Sequence, residues 1–114
     1  MSIDIMQHNS QFSTTGQIDP EQINEVAALG YKSVIDNRPD MEGGSDQPLH
    51  TDIEKRVKAS GMEFAYLPVI SGAITAEQVE QMADLIERLP KPILAFCRSG
   101  ARSTNLYHLA ISRS

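Results

Sequence analysis

Residues 92–103 have the sequence PILAFCRSGARS, which predicts a strand, a tight loop and the start of a helix. Its apolar first part predicts a short strand covered on both faces, as in the centre of a parallel sheet. Gly100 permits a positive φ in the loop that follows the strand, and a helix is predicted from about Ala101 to the end of the chain. A buried strand that passes through a tight loop into a helix is typical of α/β architecture.

Strands and helices alternate along the rest of the chain. Two capping boxes, which begin at Asp19 and Thr75, mark the starts of two helices. We expect residues 1–11 to be loosely held and residues 41–47, with two adjacent glycines, to form a mobile loop. The alternation predicts an α/β fold, a three-layer sandwich with a small, mostly parallel sheet and helices on both faces. The predicted strands are 12–18, 31–36, 62–70 and 92–96, and the predicted helices are 20–29, 48–60, 76–89 and 101 onward.

Composition limits the classes of protein that fit. A length of 114 residues predicts one domain over residues 1–114. The net charge of −5 argues against nucleic-acid binding, and no apolar run reaches the ~20 residues that span a membrane. The single cysteine excludes an internal disulfide and a metal site built on two cysteines. We expect a cytoplasmic protein without cofactor or metal.

The loop after Cys97 has the residue types of an anion-binding cup. Gly100 lets successive backbone N–H groups turn inward, and the helix that follows adds its positive end. Arg102 can fold its planar guanidinium over the cup and bind an oxyanion through two hydrogen bonds. This field favours the thiolate of Cys97, and Ser103 could donate to its sulfur. We predict Cys97 as the nucleophile and Arg98, Ser99, Gly100, Ala101, Arg102 and Ser103 as the anion-binding set.

Cys97 and Arg98 each also have an interpretation without a functional role. A lone cysteine after an apolar strand is commonly a small core residue. Arg98 either attracts the substrate or is a solvent-facing loop residue. The glycine, arginine and serine at the positions that an anion cup needs favour the functional interpretation of Cys97.

The loop resembles those of two groups of enzymes. Cysteine-dependent phosphatases have five residues between the cysteine and the arginine, and rhodanese-type sulfurtransferases have four, as between Cys97 and Arg102 here. Over most of its length the chain resembles the bacterial beta-lactamase-hydrolase-like family, phosphatase-like domain, also described as a sulfur transferase. The resemblance implies a dual-specificity-phosphatase-like fold, and fusion to or partnership with a metallo-hydrolase or a sulfur-oxidising enzyme. It is carried by TGQI (15–18), IDNRPD (35–40), YLPV (66–69) and FCRSGARS (96–103).

Two departures from the phosphatases bear on the reaction. These enzymes usually have a general-acid aspartate shortly after the strand that resembles residues 66–70, where this chain has Ser71 and Gly72. They also commonly have a histidine before the cysteine, where this chain has Phe96. Protonation of the leaving group contributes roughly 10²–10⁴ to a rate, and sulfane-sulfur transfer does not need it.

A substitute acid would have to come from elsewhere in the chain. Asp40 and Asp36 are the candidates, and we include Asp40 among the candidate catalytic residues. The alternative for Asp40 is a turn residue, because it follows Pro39.

Three functions therefore remain open. We expect sulfane-sulfur transfer through a persulfide on Cys97. The alternatives are a phosphatase with a Cys97–phosphate intermediate and a non-catalytic anion-binding module. In each case the partner is a small anionic molecule, a sulfane-sulfur donor or a phosphate ester, and sulfate or phosphate would fit the loop. A carboxylate within reach of the cup would favour the phosphatase.

Overall fold

Five strands form one sheet in the computed structural model, which describes residues 3–113. The strands are β1 (Ile5–Asn9), β2 (Phe12–Thr15), β3 (Ser33–Asp36), β4 (Glu63–Tyr66) and β5 (Ile93–Phe96). Their order across the sheet is β1-β2-β5-β3-β4, so that β5 is central. β1 runs antiparallel to β2, whereas β2, β5, β3 and β4 are parallel to one another.

Helices cover both faces of the sheet. They are α1 (Ile23–Ala28), which follows a 3₁₀ turn at Pro20–Gln22, α2 (His50–Ala59), α3 (Ala76–Arg88) and α4 (Ala101–Ser112). The apolar side chains of α1 and α2 pack on one face, and those of α3 and α4 on the other. The predicted three-layer α/β sandwich is confirmed. Within residues 3–113, no helix has the length and apolar character to cross a membrane.

The position of β5 in the middle of the sheet explains why its sequence is wholly apolar. Leu94 and Phe96 point into the core under α1 and α2, while Ile93 and Ala95 point into the core under α3 and α4. All four side chains are completely buried. The strand delivers the next residue, Cys97, to the carboxyl edge of the sheet, where ligands of open α/β sheets bind.

One segment differs from the sequence predictions. Residues 5–9, for which the sequence predicts a loosely held segment, form β1, a mostly exposed edge strand that pairs with β2. Residues 1 and 2 lie outside the described part of the chain. In the segment 41–47 the side chain of Gln47 accepts from the N–H of Gly43 at 2.7 Å and donates to the carbonyl of Pro39 at 2.9 Å, and the mobility of this loop stays a prediction.

Substitution of a buried residue of β5 tests this description of the core. We expect Leu94→Ala to lower the free energy of unfolding by about 2–5 kcal/mol, because it opens a cavity beneath α1 and α2. Leu109→Ala is the matched control, since Leu109 is an exposed leucine of α4. It should change stability by less than about 1 kcal/mol, measured by urea denaturation. Equal losses for the two variants would contradict this assignment of the core.

Candidate active site

Cys97 lies in a cleft of about 730 Å³ at the carboxyl end of β5. It is 1% exposed, so a reacting group must enter the cleft to reach the sulfur. The backbone N–H of Gly100 donates to Sγ at 3.2 Å, a contact that suits the thiolate, the nucleophilic form of cysteine. The other lining residues are Arg98, Ser99, Ala101 and Arg102 of the loop, and Arg38, Glu42, Gly43 and Ser71 from neighbouring loops.

Close packing against β2 sets the shape of the loop. Gly100 has a φ of 94°, as the sequence predicts, and a Cβ there would lie 3.3 Å from the carbonyl group of Thr15. A Cβ on Gly16 would lie 3.0 Å from the carbonyl oxygen of Arg98. That oxygen accepts from the N–H of Gln17 at 3.2 Å. Glycine at both positions lets two backbones approach closely enough to hold the loop in its curved form.

Arg102 extends along the cleft with two anchors. Its Nη1 donates to Oε2 of Glu42 at 2.9 Å and to the carbonyl of Val69 at 3.0 Å, and its Nη2 donates to Oε1 of Glu42 at 3.1 Å. Its Nε is buried and has no hydrogen-bond partner within residues 3–113. Because Glu42 occupies the end of the guanidinium, Nε–H and the second hydrogen of Nη2 remain as a fork on one side.

An unsatisfied donor of this kind indicates what the site binds. A buried polar group without a partner costs roughly 1–3 kcal/mol, and more when it is charged. Two parallel donors of an arginine match the oxygens of a phosphate or sulfate group. The predicted oxyanion-binding role of Arg102 therefore has a geometry that suits it.

Glu42 is a residue of the cleft that the sequence did not single out. It bridges two arginines, since Arg38 Nε also donates to Oε1 at 3.0 Å. Burial acts to raise the pKa of Glu42, but the hydrogen bonds and charges of Arg102 and Arg38 outweigh it and leave the pKa below its usual value. The only sequence signal was the four-residue spacing from Arg38, because Arg102 is 60 positions away.

A buried hydrogen bond joins Ser103, just after the loop, to Asn37, just after β3. The prediction that Ser103 donates to the sulfur of Cys97 is wrong: its Oγ donates to Oδ1 of Asn37 at 2.8 Å, and both residues are buried. Asn37 in turn donates from Nδ2 to the carbonyl of Leu67 at 3.0 Å. Sequence alone did not identify Asn37, since only the fold brings its partners together.

The structure does not place the two candidate acids, Asp40 and Asp36, among the residues that line the cleft. Asp40 accepts from the backbone N–H of His50 at 2.8 Å and contacts the Nδ1 of the same residue at 2.5 Å, at the start of α2. These contacts fit its alternative interpretation as a structural residue, and its catalytic role stays a prediction. Asp36 is buried at the end of β3, where its Oδ1 accepts from the N–H of Arg38 at 2.8 Å.

The sandwich that places Cys97 at the end of the central strand has the fold of protein tyrosine and dual-specificity phosphatases, as its similarity to solved structures of that type shows. An inferred phosphatase from Neisseria meningitidis has a TM-score of 0.83 and 31% identity, and the match covers 90% of this chain and 72% of that one. An inferred phosphatase from Shewanella putrefaciens has a TM-score of 0.78 and 25% identity, over 93% of this chain and 66% of that one. TpbA from Pseudomonas aeruginosa, at 12% identity and a TM-score of 0.68 over 91% of this chain and 59% of that one, shares the fold alone.

Residues 4–114 match the family described as beta-lactamase hydrolase-like protein, phosphatase-like domain, and the chain belongs to that family. A beta-lactamase hydrolase-like protein of Agrobacterium fabrum is 30% identical over 101 residues, which are 89% of this chain and 23% of the relative. One from Xylella fastidiosa is 28% identical over 106 residues, 93% of this chain and 24% of the relative. The chain thus spans about a quarter of the length of these curated relatives. The relatives support the phosphatase alternative and give no support to sulfur transfer.

The buried carboxyl of Asp36 generates a prediction about pH. Burial raises the pKa of Asp36 to about 7, and the nearby Asp40 raises it too, whereas the N–H of Arg38 and the charges of His50 and Arg38 act to lower it. Because this pKa lies above that of the unfolded chain, protonated Asp36 stabilises the fold at low pH. That contribution is lost as the pH rises from about 4 to about 7.

Asp36→Asn should remove this dependence, since asparagine resembles the protonated acid. We expect the stability of the variant relative to the wild type to rise by on the order of 2 kcal/mol between about pH 5 and pH 8. Urea denaturation at the two pH values measures the change. Asp46→Asn, an exposed aspartate in the turn before α2, is the control and should show no such trend. A constant difference between Asp36→Asn and wild type at both pH values would contradict the prediction.

Proposed function

We propose that this domain is a phosphatase in which Cys97 attacks the phosphorus of a bound phosphate group. The observation that carries the proposal is the unpartnered Nε–H of Arg102, in the same cleft as the buried sulfur of Cys97. A phosphoryl group has non-bridging oxygens that accept from such donors. The names of the family and of the solved relatives indicate the same class.

The reaction takes place in two steps at the sulfur. In the first step the thiolate of Cys97 forms an S–P bond while the bond from phosphorus to the leaving oxygen breaks, and the electron pair departs with that oxygen. In the second step a water oxygen attacks phosphorus, the S–P bond breaks and the thiolate is restored. The proton that this water releases to solvent balances the one that the leaving oxygen takes from solvent after the first step. Arg102 and the N–H groups of the loop stabilise the charge on the phosphoryl oxygens in both steps.

Glu42 acts in this proposal as a positioning residue. Its carboxylate holds the terminal nitrogens of Arg102, at 2.9 and 3.1 Å, and so leaves the other side of the guanidinium for substrate. The two arginine partners of Glu42 keep it ionised, which suits an anchor rather than a proton donor. Glu42 is therefore not the general acid that was expected of a carboxylate near the cup.

Sulfur transfer remains the second candidate, because one observation favours it. The four residues between Cys97 and Arg102 match the spacing of rhodanese-type enzymes. In that reaction the Cys97 thiolate would take a sulfane sulfur from an anionic donor such as thiosulfate. The persulfide would then pass that sulfur to an acceptor thiol.

A side-by-side assay decides between the two reactions. We expect hydrolysis of 4-nitrophenyl phosphate to exceed sulfur transfer from thiosulfate to cyanide, with both rates measured on the same preparation. Cys97→Ser should abolish turnover and leave the fold and the binding of phosphate intact, because serine is nearly isosteric but is not ionised at neutral pH. Sulfur transfer without phosphate hydrolysis would overturn the proposal, as would full activity of the serine variant.

The positioning role of Glu42 predicts a uniform loss. Glu42→Gln should lower kcat/KM about tenfold for both phenyl phosphate and 4-nitrophenyl phosphate, because Arg102 loses its charged anchor. It should also weaken inhibition by vanadate, and Glu42→Asp should recover part of the activity. Glu87→Gln, an exposed glutamate of α3, is the control. A loss confined to phenyl phosphate, the ester with the poorer leaving group, would instead make Glu42 the proton donor.

A further inference from the structure

We propose that the substrate group is a phosphoanhydride, a terminal diphosphate whose departing phosphate is bound by Arg98 and Arg38, which line the same cleft as Cys97. This inference rests on the proposed phosphatase function and names its substrate class. It follows from the positive charge of the cleft, the chemistry of its lining and the ionisation of Glu42.

Positive charge is concentrated beside the cup. Arg98 follows the nucleophile directly, is exposed, and its side chain has no hydrogen bond or ion pair within residues 3–113. Arg38 uses Nε for Glu42 and Nη1 for the side chain of Gln17 at 3.1 Å, which leaves Nη2 for a ligand. Together with Arg102, the cleft has three guanidiniums and one carboxylate in a chain with a net charge of −5. A substrate with one phosphate needs only Arg102 and the loop, so the other two arginines favour a second anionic group.

The rest of the cleft is lined by small residues. Between the charged residues the cleft wall is formed by Gly43, Ser71, Ser99 and Ala101. These small residues offer no aromatic or extended apolar surface on which an aryl leaving group could pack. A compact, hydrophilic leaving group fits this wall, and phosphate has that character.

The ionised state of Glu42 bears on which leaving group the cleft can release. An alkyl or aryl ester of a poor leaving group needs a proton on the departing oxygen. Glu42, the carboxylate in the cleft, is held in its ionised form by ion pairs of 2.9 Å with Arg102 and 3.0 Å with Arg38. A phosphate departs as a stable anion, and guanidiniums can neutralise the charge that develops on it. The cleft is therefore suited to a leaving group that needs charge neutralisation rather than protonation.

The step balances without any further reactant. The Cys97 sulfur forms a bond to the terminal phosphorus, and the bond between that phosphorus and the bridging oxygen breaks. The electron pair stays on the bridging oxygen, which leaves as part of a phosphate anion against Arg98 and Arg38 and takes its proton from water. Water then hydrolyses the S–P bond as in the ester reaction, so the products are two phosphate groups and the restored thiolate.

The test compares inorganic pyrophosphate with 4-nitrophenyl phosphate and phenyl phosphate, in the presence of EDTA. We expect the wild type to hydrolyse pyrophosphate with a higher kcat/KM than phenyl phosphate. Arg98→Ala should lower kcat/KM for pyrophosphate about tenfold more than for 4-nitrophenyl phosphate, because only pyrophosphate carries a leaving group that needs this charge. Arg88→Ala, an exposed arginine of α3 outside the cleft, is the matched control and should leave the ratio of the two substrates unchanged.

The outcomes separate the failure of this inference from that of the proposed function. Hydrolysis of 4-nitrophenyl phosphate that depends on Cys97, without hydrolysis of pyrophosphate, would overturn the phosphoanhydride inference and leave the phosphatase intact. Equal losses on both substrates in Arg98→Ala would overturn the assignment of Arg98 to the leaving group. Absence of Cys97-dependent hydrolysis on all three substrates would overturn the phosphatase itself.

Discussion

One buried asparagine ties together the elements that form the site. Asn37 follows β3, and its N–H donates to the carbonyl of Phe96 at 2.8 Å, the last residue before the nucleophile. Its own carbonyl accepts from Val69 at 3.0 Å, and its side chain joins the carbonyl of Leu67 to the hydroxyl of Ser103. Each polar atom of Asn37 thus has a partner, and such a buried network favours one geometry, because a broken bond would leave a buried polar group without a partner.

The position of Arg102 depends on this network. Val69, which donates to Asn37, offers its carbonyl to Nη1 of Arg102 at 3.0 Å. The guanidinium is thus fixed from one side by backbone that the asparagine holds, and from another by the carboxylate of Glu42. Two anchors at one end of a planar group leave little rotational freedom, so the free side keeps its direction before substrate arrives. The site has the preorganisation that electrostatic catalysis requires.

The fold and the nucleophile could be predicted because their signals are local. The apolar run that ends at Phe96 predicts a buried strand, and Gly100 predicts a positive φ in the loop after it. Each signal lies within a few residues of the structure that it predicts. β1 was not predicted because its two apolar residues, Ile5 and Met6, are adjacent, so the strand lacks the alternation that marks a half-buried strand. Asn37 was not predicted because Ser103, the partner of its side chain, lies 66 positions away. Glu42 was not predicted because Arg102, the partner that places it in the site, lies 60 positions away. A hydroxyl one residue after the arginine could reach the sulfur or the asparagine, and only the packing of α4 decides between them.

The contact between Asp40 and His50 has a consequence for the segment that holds Glu42. The ring of His50 also stacks on Tyr66 at 3.7 Å, and the hydroxyl of Tyr66 accepts from the N–H of Asp40 at 2.9 Å. The segment from Asn37 to His50 is therefore fixed at its first residue by the hydrogen bonds of Asn37 and at its last residue by the contacts of His50 with Asp40 and Tyr66. Ordering a loop is one of the main entropic costs of association. Here the conformational entropy of fixing the two ends is lost during folding, so it is not lost again when a ligand binds. The ends of the loop that contains Glu42 are therefore already fixed when an anion enters the cleft, and the binding free energy of the anion is not reduced by the cost of fixing them.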